Sequence, residues 1–128
     1  MANDFEGQFF EWVDKALKTV PDSVNGFAFN LFERPWLDKV EPKYGVELVG
    51  SSEFSFEDED WACEEIFEAK PRSLEIPISY STQEWEMCLN KMAALIKMYM
   101  ESSALGAVIL TNVEGVGIGF VDGDLRLL

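Results

Sequence analysis

Catalytic chemistry has few residues to work with in this chain. Histidine is absent from all 128 positions, so neither a Ser/His/Asp triad nor a Cys/His pair can be assembled. The two cysteines, Cys63 and Cys88, stand 25 positions apart. A structural zinc needs about four Cys or His ligands, so none is expected. Cys63 is flanked by Asp60, Glu64 and Glu65, whose charge disfavours the thiolate a reactive cysteine needs. Cys88 falls on an apolar helical stripe and reads as a small core residue. Gly115-Val116-Gly117-Ile118-Gly119-Phe120 resembles a dinucleotide fingerprint only in part. Phe120 replaces the last glycine, and a turn and strand follow where the fingerprint needs a helix. Asp122-Gly123-Asp124 is expected to be a turn and not the start of an EF-hand, which needs twelve residues with ligands at fixed positions ending in Glu. Carboxylate pairs are too numerous for any one of them to mark an acid–base site. The chain is therefore not expected to be an enzyme, and no cofactor or metal is expected.

The carboxylates themselves are the unusual feature. Against 24 acids stand 10 bases, a formal net charge of −14. Such a surface repels nucleic acid and anionic membranes and attracts basic proteins. The excess is uneven. Residues 51–80 carry nine acids and two bases, residues 1–50 nine and five, and residues 81–128 six and three. The respective balances are −7, −4 and −3, so half the excess lies in less than a quarter of the chain. Phe54, Phe56, Trp61 and Phe67 interrupt the acidic run. A solvated tail has no use for buried rings, so the segment is expected to be a folded patch. Phe54 and Phe56 read as anchors, and Trp61 as either an anchor or a contact residue. The candidate partner-binding residues are Glu57, Asp58, Glu59, Asp60, Trp61, Glu64, Glu65 and Glu68.

The elements that position this run can be read from hydrophobic spacing. Phe5, Phe9, Trp12, Val13, Ala16, Leu17 and Val20 mark a helix over residues 4–20, with Asn3 as cap and Pro21-Asp22 as stop. Phe27, Phe29 and Leu31 alternate in a strand over 24–33, which Arg34-Pro35 ends. Trp36–Lys43 is a connection, and a second strand spans about 44–49. Phe54 and Phe56 fit the end of a short strand; Trp61, Glu65 and Glu68 fit a helical turn, although dense like charge strains a long helix. Leu74-Glu75-Ile76-Pro77-Ile78 reads as a short edge strand. Ser81-Thr82-Gln83-Glu84 forms a capping box before a helix over 82–102, with Trp85, Cys88, Leu89, Met92, Leu95, Ile96 and Tyr99 on one face. Ala107-Val108-Ile109-Leu110 reads as a buried strand. Val116–Val121 and Asp124–Leu128 form a hairpin about Asp122-Gly123. Gly115, Gly117 and Gly119 share one strand face, which invites close packing by a helix.

The expected fold is one α+β domain over residues 1–128: a mainly antiparallel sheet of about five to six strands, with two helices packed on it. No basic leader or spanning apolar stretch is present, and two reduced cysteines suit the cytoplasm, so a cytoplasmic location is expected.

Three stretches, Gly50–Phe67, Phe29-Asn30-Leu31-Phe32-Glu33 and Gly119–Leu125, together resemble immunity proteins of bacterial toxin systems. The resemblance covers about half the chain and carries no set of functional positions. It implies a small, acidic, cytosolic, non-catalytic protein that neutralises a toxin domain, often a basic one, by direct binding. The alternative is a regulatory or assembly module with no toxin partner, self-associating as a homodimer through the Asp124–Leu128 strand edge. A DNA mimic would spread its acids over a long face, whereas these are clustered.

Overall fold

The computed structural model describes residues 4–33, 44–55, 57–77, 80, 84–121, 123 and 125–128. The expected Asn3 cap, the Arg34-Pro35 break, the 36–43 connection and Phe56 lie outside the described residues, as do Ile78, Ser81-Thr82-Gln83, Asp122 and Asp124.

Helix α1 spans Asp4–Leu17. Its stripe of Phe5, Phe9, Trp12, Val13, Ala16 and Leu17 is buried, as the spacing requires. Strands β1 (Gly26–Glu33) and β2 (Tyr44–Ser51) pair antiparallel, with Phe29 opposite Leu48. A 3₁₀ turn at Glu59–Cys63 leads into β3 (Glu65–Ile76), which pairs antiparallel with β2. Helix α2 (Trp85–Met100), helix α3 (Leu105–Asn112), β4 (Gly115–Phe120) and the two-residue β5 (Arg126–Leu127) complete the order.

The fold is α+β, with a five-stranded mixed sheet in the order β3-β2-β1-β4-β5. Three of its joints are antiparallel, but β1 and β4 run parallel, with Phe29 beside Ile118. The expectation of a mainly antiparallel sheet thus misses the central parallel joint, and the described residues include three α-helices where two are expected. The additional helix is α3, where Ala107–Leu110 reads as a strand from its apolar run. Gly106, Ala107 and Leu110 are buried while Leu105 and Val108 are exposed, which is helical alternation. An uncharged apolar run fits a buried strand and a core helix equally well, and this one is settled by packing. Gly106 lets α3 lie close to α2 and α1: a Cβ there would meet the Tyr99 hydroxyl and Leu17.

Glu84 is the N-cap of α2, and its carbonyl accepts from the Cys88 N–H at 3.0 Å. The helix expected over 82–102 is thus described from Trp85 to Met100, and the Ser81 end of the expected capping box lies outside the described residues. Of the short edge strand expected at 74–78, Leu74–Ile76 forms the end of the longer β3. That strand also takes up Glu65 and Glu68, so no helix continues from Trp61.

Strand alternation divides the sheet into two faces. Phe27, Phe29, Leu31, Val46, Leu48, Val116 and Ile118 point into the main core with the helices' apolar faces. Aromatic packing ties the layers together, with Phe9 5.8 Å from Phe29 and Phe10 edge-on to Tyr99 at 5.1 Å. The opposite face carries small residues: Gly26, Ala28, Val49, Ser51, Gly115 and Gly117. Among the described residues no α-helix packs there; Trp61 from the 3₁₀ turn, with Phe54 and Leu125, covers it. Among the described residues, no single helix is long and apolar enough to cross a membrane.

Candidate functional site

The acidic run begins where β2 ends. Ser51 is buried, and its hydroxyl donates to the Trp61 carbonyl at 2.5 Å while accepting from the Glu53 N–H at 3.1 Å. One hydroxyl therefore fixes both limbs of the segment. The Ser52 N–H donates to the Glu64 carbonyl at 3.2 Å, and Asn25 Nδ2 donates to the Ser52 carbonyl at 2.8 Å. Inside this closed loop, the Ser55 hydroxyl accepts from the Glu57 and Asp58 N–H groups at 3.1 and 3.2 Å. The Asp58 carboxylate caps the 3₁₀ turn, accepting from the Asp60 N–H at 3.0 Å. These are the short-range bonds by which Ser and Asp build turns, and they spend the polar backbone of the run on itself.

Trp61 holds the loop down. It is 4% exposed, and its ring lies over Gly26, where an added Cβ would sit 2.6 Å from Cζ3. Phe54 stacks beside it at 4.9 Å and covers Gly115. Ala28, Val49, Ala62 and Leu125 complete this small second core. Trp61 is thus an anchor beneath the acidic surface and not a contact residue upon it.

The other candidate residues fall into two groups. Glu57, Asp58, Asp60 and Glu64 are exposed on the loop and turn, and no ion pair engages them among the described residues. Asp58, Asp60, Glu64 and Glu53 line a shallow depression of about 210 Å³ beside Phe54 and Trp61. Glu59 opens the 3₁₀ turn, and its side chain lies outside the described part of the structure.

Glu65 and Glu68 belong to β3 and are committed to Arg72. The guanidinium donates to Glu65 through Nη1 and Nη2 at 2.5 and 2.9 Å, and to Glu68 through Nη1 at 3.3 Å. It also engages Glu47 through Nε and Nη2 at 3.3 and 3.2 Å, and Asn30 Nδ2 donates to the same Glu47 carboxylate at 3.1 Å. Hydrogen bonding to Arg72 holds the Glu65 carboxyl below its ordinary value, against a smaller opposing effect of burial. The same bonds, first to Glu65 and then to Glu47, raise the Arg72 guanidinium. Arg72 is the functional-site neighbour that hydrophobic and charge spacing did not identify. Its signal in the sequence is slight: it is one of only two bases within residues 51–80.

Cys63 is exposed and Cys88 buried, and burial pushes the Cys88 thiol up to about 12. Among the described residues, no group of three or more Cys, Asp or Glu side chains is placed to hold a metal ion. What the arrangement offers is an acidic surface held by a small apolar core. No protein-family model, no characterised protein and no solved structure matches the chain.

Proposed function

We propose that the chain is an acidic, non-catalytic binding protein of the immunity type, which neutralises a basic toxin domain by direct contact through the surface at Glu57–Glu64. The observation that carries this reading is the fastening of the run. Six acids and no base lie between residues 53 and 64. Trp61 and Ser51 tie that stretch to the sheet, so its backbone has little conformational freedom left to lose on binding. A partner with a basic face is drawn in by the field and then meets a surface already formed.

The partner is to be sought in the adjacent reading frame or by pull-down from the native host, and the association measured by stopped flow. The D58N/E59Q/D60N triple variant removes three charges and leaves Trp61 in place. It is expected to slow association about tenfold at low ionic strength, with the difference shrinking as salt is raised. An unchanged on-rate at low salt would remove this surface from the mechanism. The second reading, a self-associating module without a toxin partner, draws on β5, an open sheet edge that leaves Leu127 exposed. Light scattering separates the two: a stable dimer supports the module, and a monomer supports the inhibitor.

A further inference from the structure

The other edge of the sheet, β3, borders a groove that holds two lysines. β3 is an outer strand, and among the described residues no strand pairs with its free side. Pro71 has no N–H to offer an incoming strand, and its carbonyl already accepts from Trp12 Nε1 at 2.7 Å. Pro71 thereby divides this edge and bounds the stretch Glu65–Lys70. Along that stretch a groove of about 550 Å³ runs between β3 and the C-terminal end of α1. Ala16, Thr19, Ile66 and Phe67 line it, with Lys15 and Lys70 as its cations. Glu68 reaches the groove too, but its charge is engaged by Arg72. Neither lysine has an ion pair among the described residues, and Ile66 is 46% exposed. In a chain of net charge −14, two unengaged ammonium groups beside an apolar floor and an open backbone edge form a distinct local environment.

We propose that this groove receives an extended segment of a partner protein, which adds a strand to β3 along Glu65–Lys70. The segment places an apolar side chain over Ala16, Ile66 and Phe67, and a carboxylate on Lys15 and Lys70. Strand addition supplies main-chain hydrogen bonds without regard to sequence, while alternate side chains supply the specificity. Charge complementarity selects the carboxylate. Repulsion by the whole chain disfavours a strongly acidic partner at a distance, so the segment carries its charge singly on an otherwise neutral strand. The groove recognises chemistry opposite to that attracted by the Glu57–Glu64 surface, and its test does not depend on that surface.

The full chain, immobilised, is used to select from displayed random peptides of about six residues, a typical strand length. Enriched peptides are expected to alternate apolar residues around one Asp or Glu. The K15E/K70E variant, with an unchanged circular dichroism spectrum, is expected to bind them about tenfold more weakly or worse. Ile66→Asp, which leaves both lysines, is expected to weaken them comparably. Hydrogen exchange should slow within Glu65–Lys70 when the peptide is bound. Enrichment of peptides without a carboxylate, equal binding by K15E/K70E, protection at β5 instead of β3, or no enrichment at all overturns the proposal. So does a dimer of the free chain that K15E/K70E dissolves, because a second copy is then the occupant.

Discussion

Gly26 and Trp61 form a pair in which the smaller residue decides the fate of the larger. The ring can lie against the sheet only because no Cβ stands at position 26. Gly26→Ala places a methyl group within 2.6 Å of Cζ3, so the indole must shift. We expect a loss of about 1–3 kcal/mol in urea unfolding and a red-shifted tryptophan emission as the ring meets water. A second residue-scale effect follows from burial of weak acids. Cys88 is pushed from 9.0 to about 12, Tyr80 from 10.0 to about 12, chiefly by burial, and Tyr99 moves upward for the same reason. Their unfolded forms lose the proton first, so stability present below about pH 9 drains away as pH rises toward about 12. Melts across that range should show a falling midpoint. At neutral pH, Ellman's reagent should reach exposed Cys63 in the folded protein, slowly because its acidic neighbours disfavour the thiolate, and Cys88 only after unfolding.

At the scale of elements, Arg72 joins β3 to β2 across an irregular stretch of the ladder, where the register shifts between Glu47 and Val49. It binds carboxylates on both strands and so substitutes for regular pairing. Arg72→Ala leaves Glu47, Glu65 and Glu68 facing one another without a cation. Because the guanidinium is partly exposed, we expect a cost of about 1 kcal/mol, diminishing in high salt. Glu65 is held low by this contact, so its share of the stability is present above its ordinary value of 4.5 and fades as pH falls below it. The two proteins should therefore converge in stability in acid, which denaturation at stepped pH will measure. Other elements are legible in the order of residues alone. The stripes of α1 and α2 are written in spacing, because each has one face in the core and one face in water, and β1 is written in the alternation of large Phe27, Phe29 and Leu31 with smaller residues. α3 is not legible in this way, since LGAVILTN carries no charge to mark its outward side. Phe54 and Trp61 signal the folded nature of the acidic run, but nothing in its composition signals the division between free carboxylates and those held by Arg72. That division depends on β3 returning beside Glu47, a long-range pairing that local composition does not encode.

At the scale of the whole molecule, a charge of −14 on 128 residues means that folding concentrates like charges. Raising ionic strength from about 0.02 M to about 0.5 M should raise the melting temperature, as screening relieves self-repulsion by more than it weakens the Arg72 contacts. Calorimetry in a salt series tests this, and a falling midpoint would make ion pairing the larger electrostatic contribution. The parallel joint between β1 and β4 has a consequence for synthesis on the ribosome. β1, β2 and β3 are neighbours in both sequence and sheet, whereas β4 arrives 39 positions after Ile76. At about 5–20 residues per second, the nascent meander waits about 2–8 s with the inner edge of β1 unoccupied. An open edge beside Phe27, Phe29 and Leu31 invites association between neighbouring nascent chains. The segment translated between β2 and β3 contains the densest negative charge in the protein, so the vulnerable intermediate emerges already carrying its own electrostatic gatekeeper.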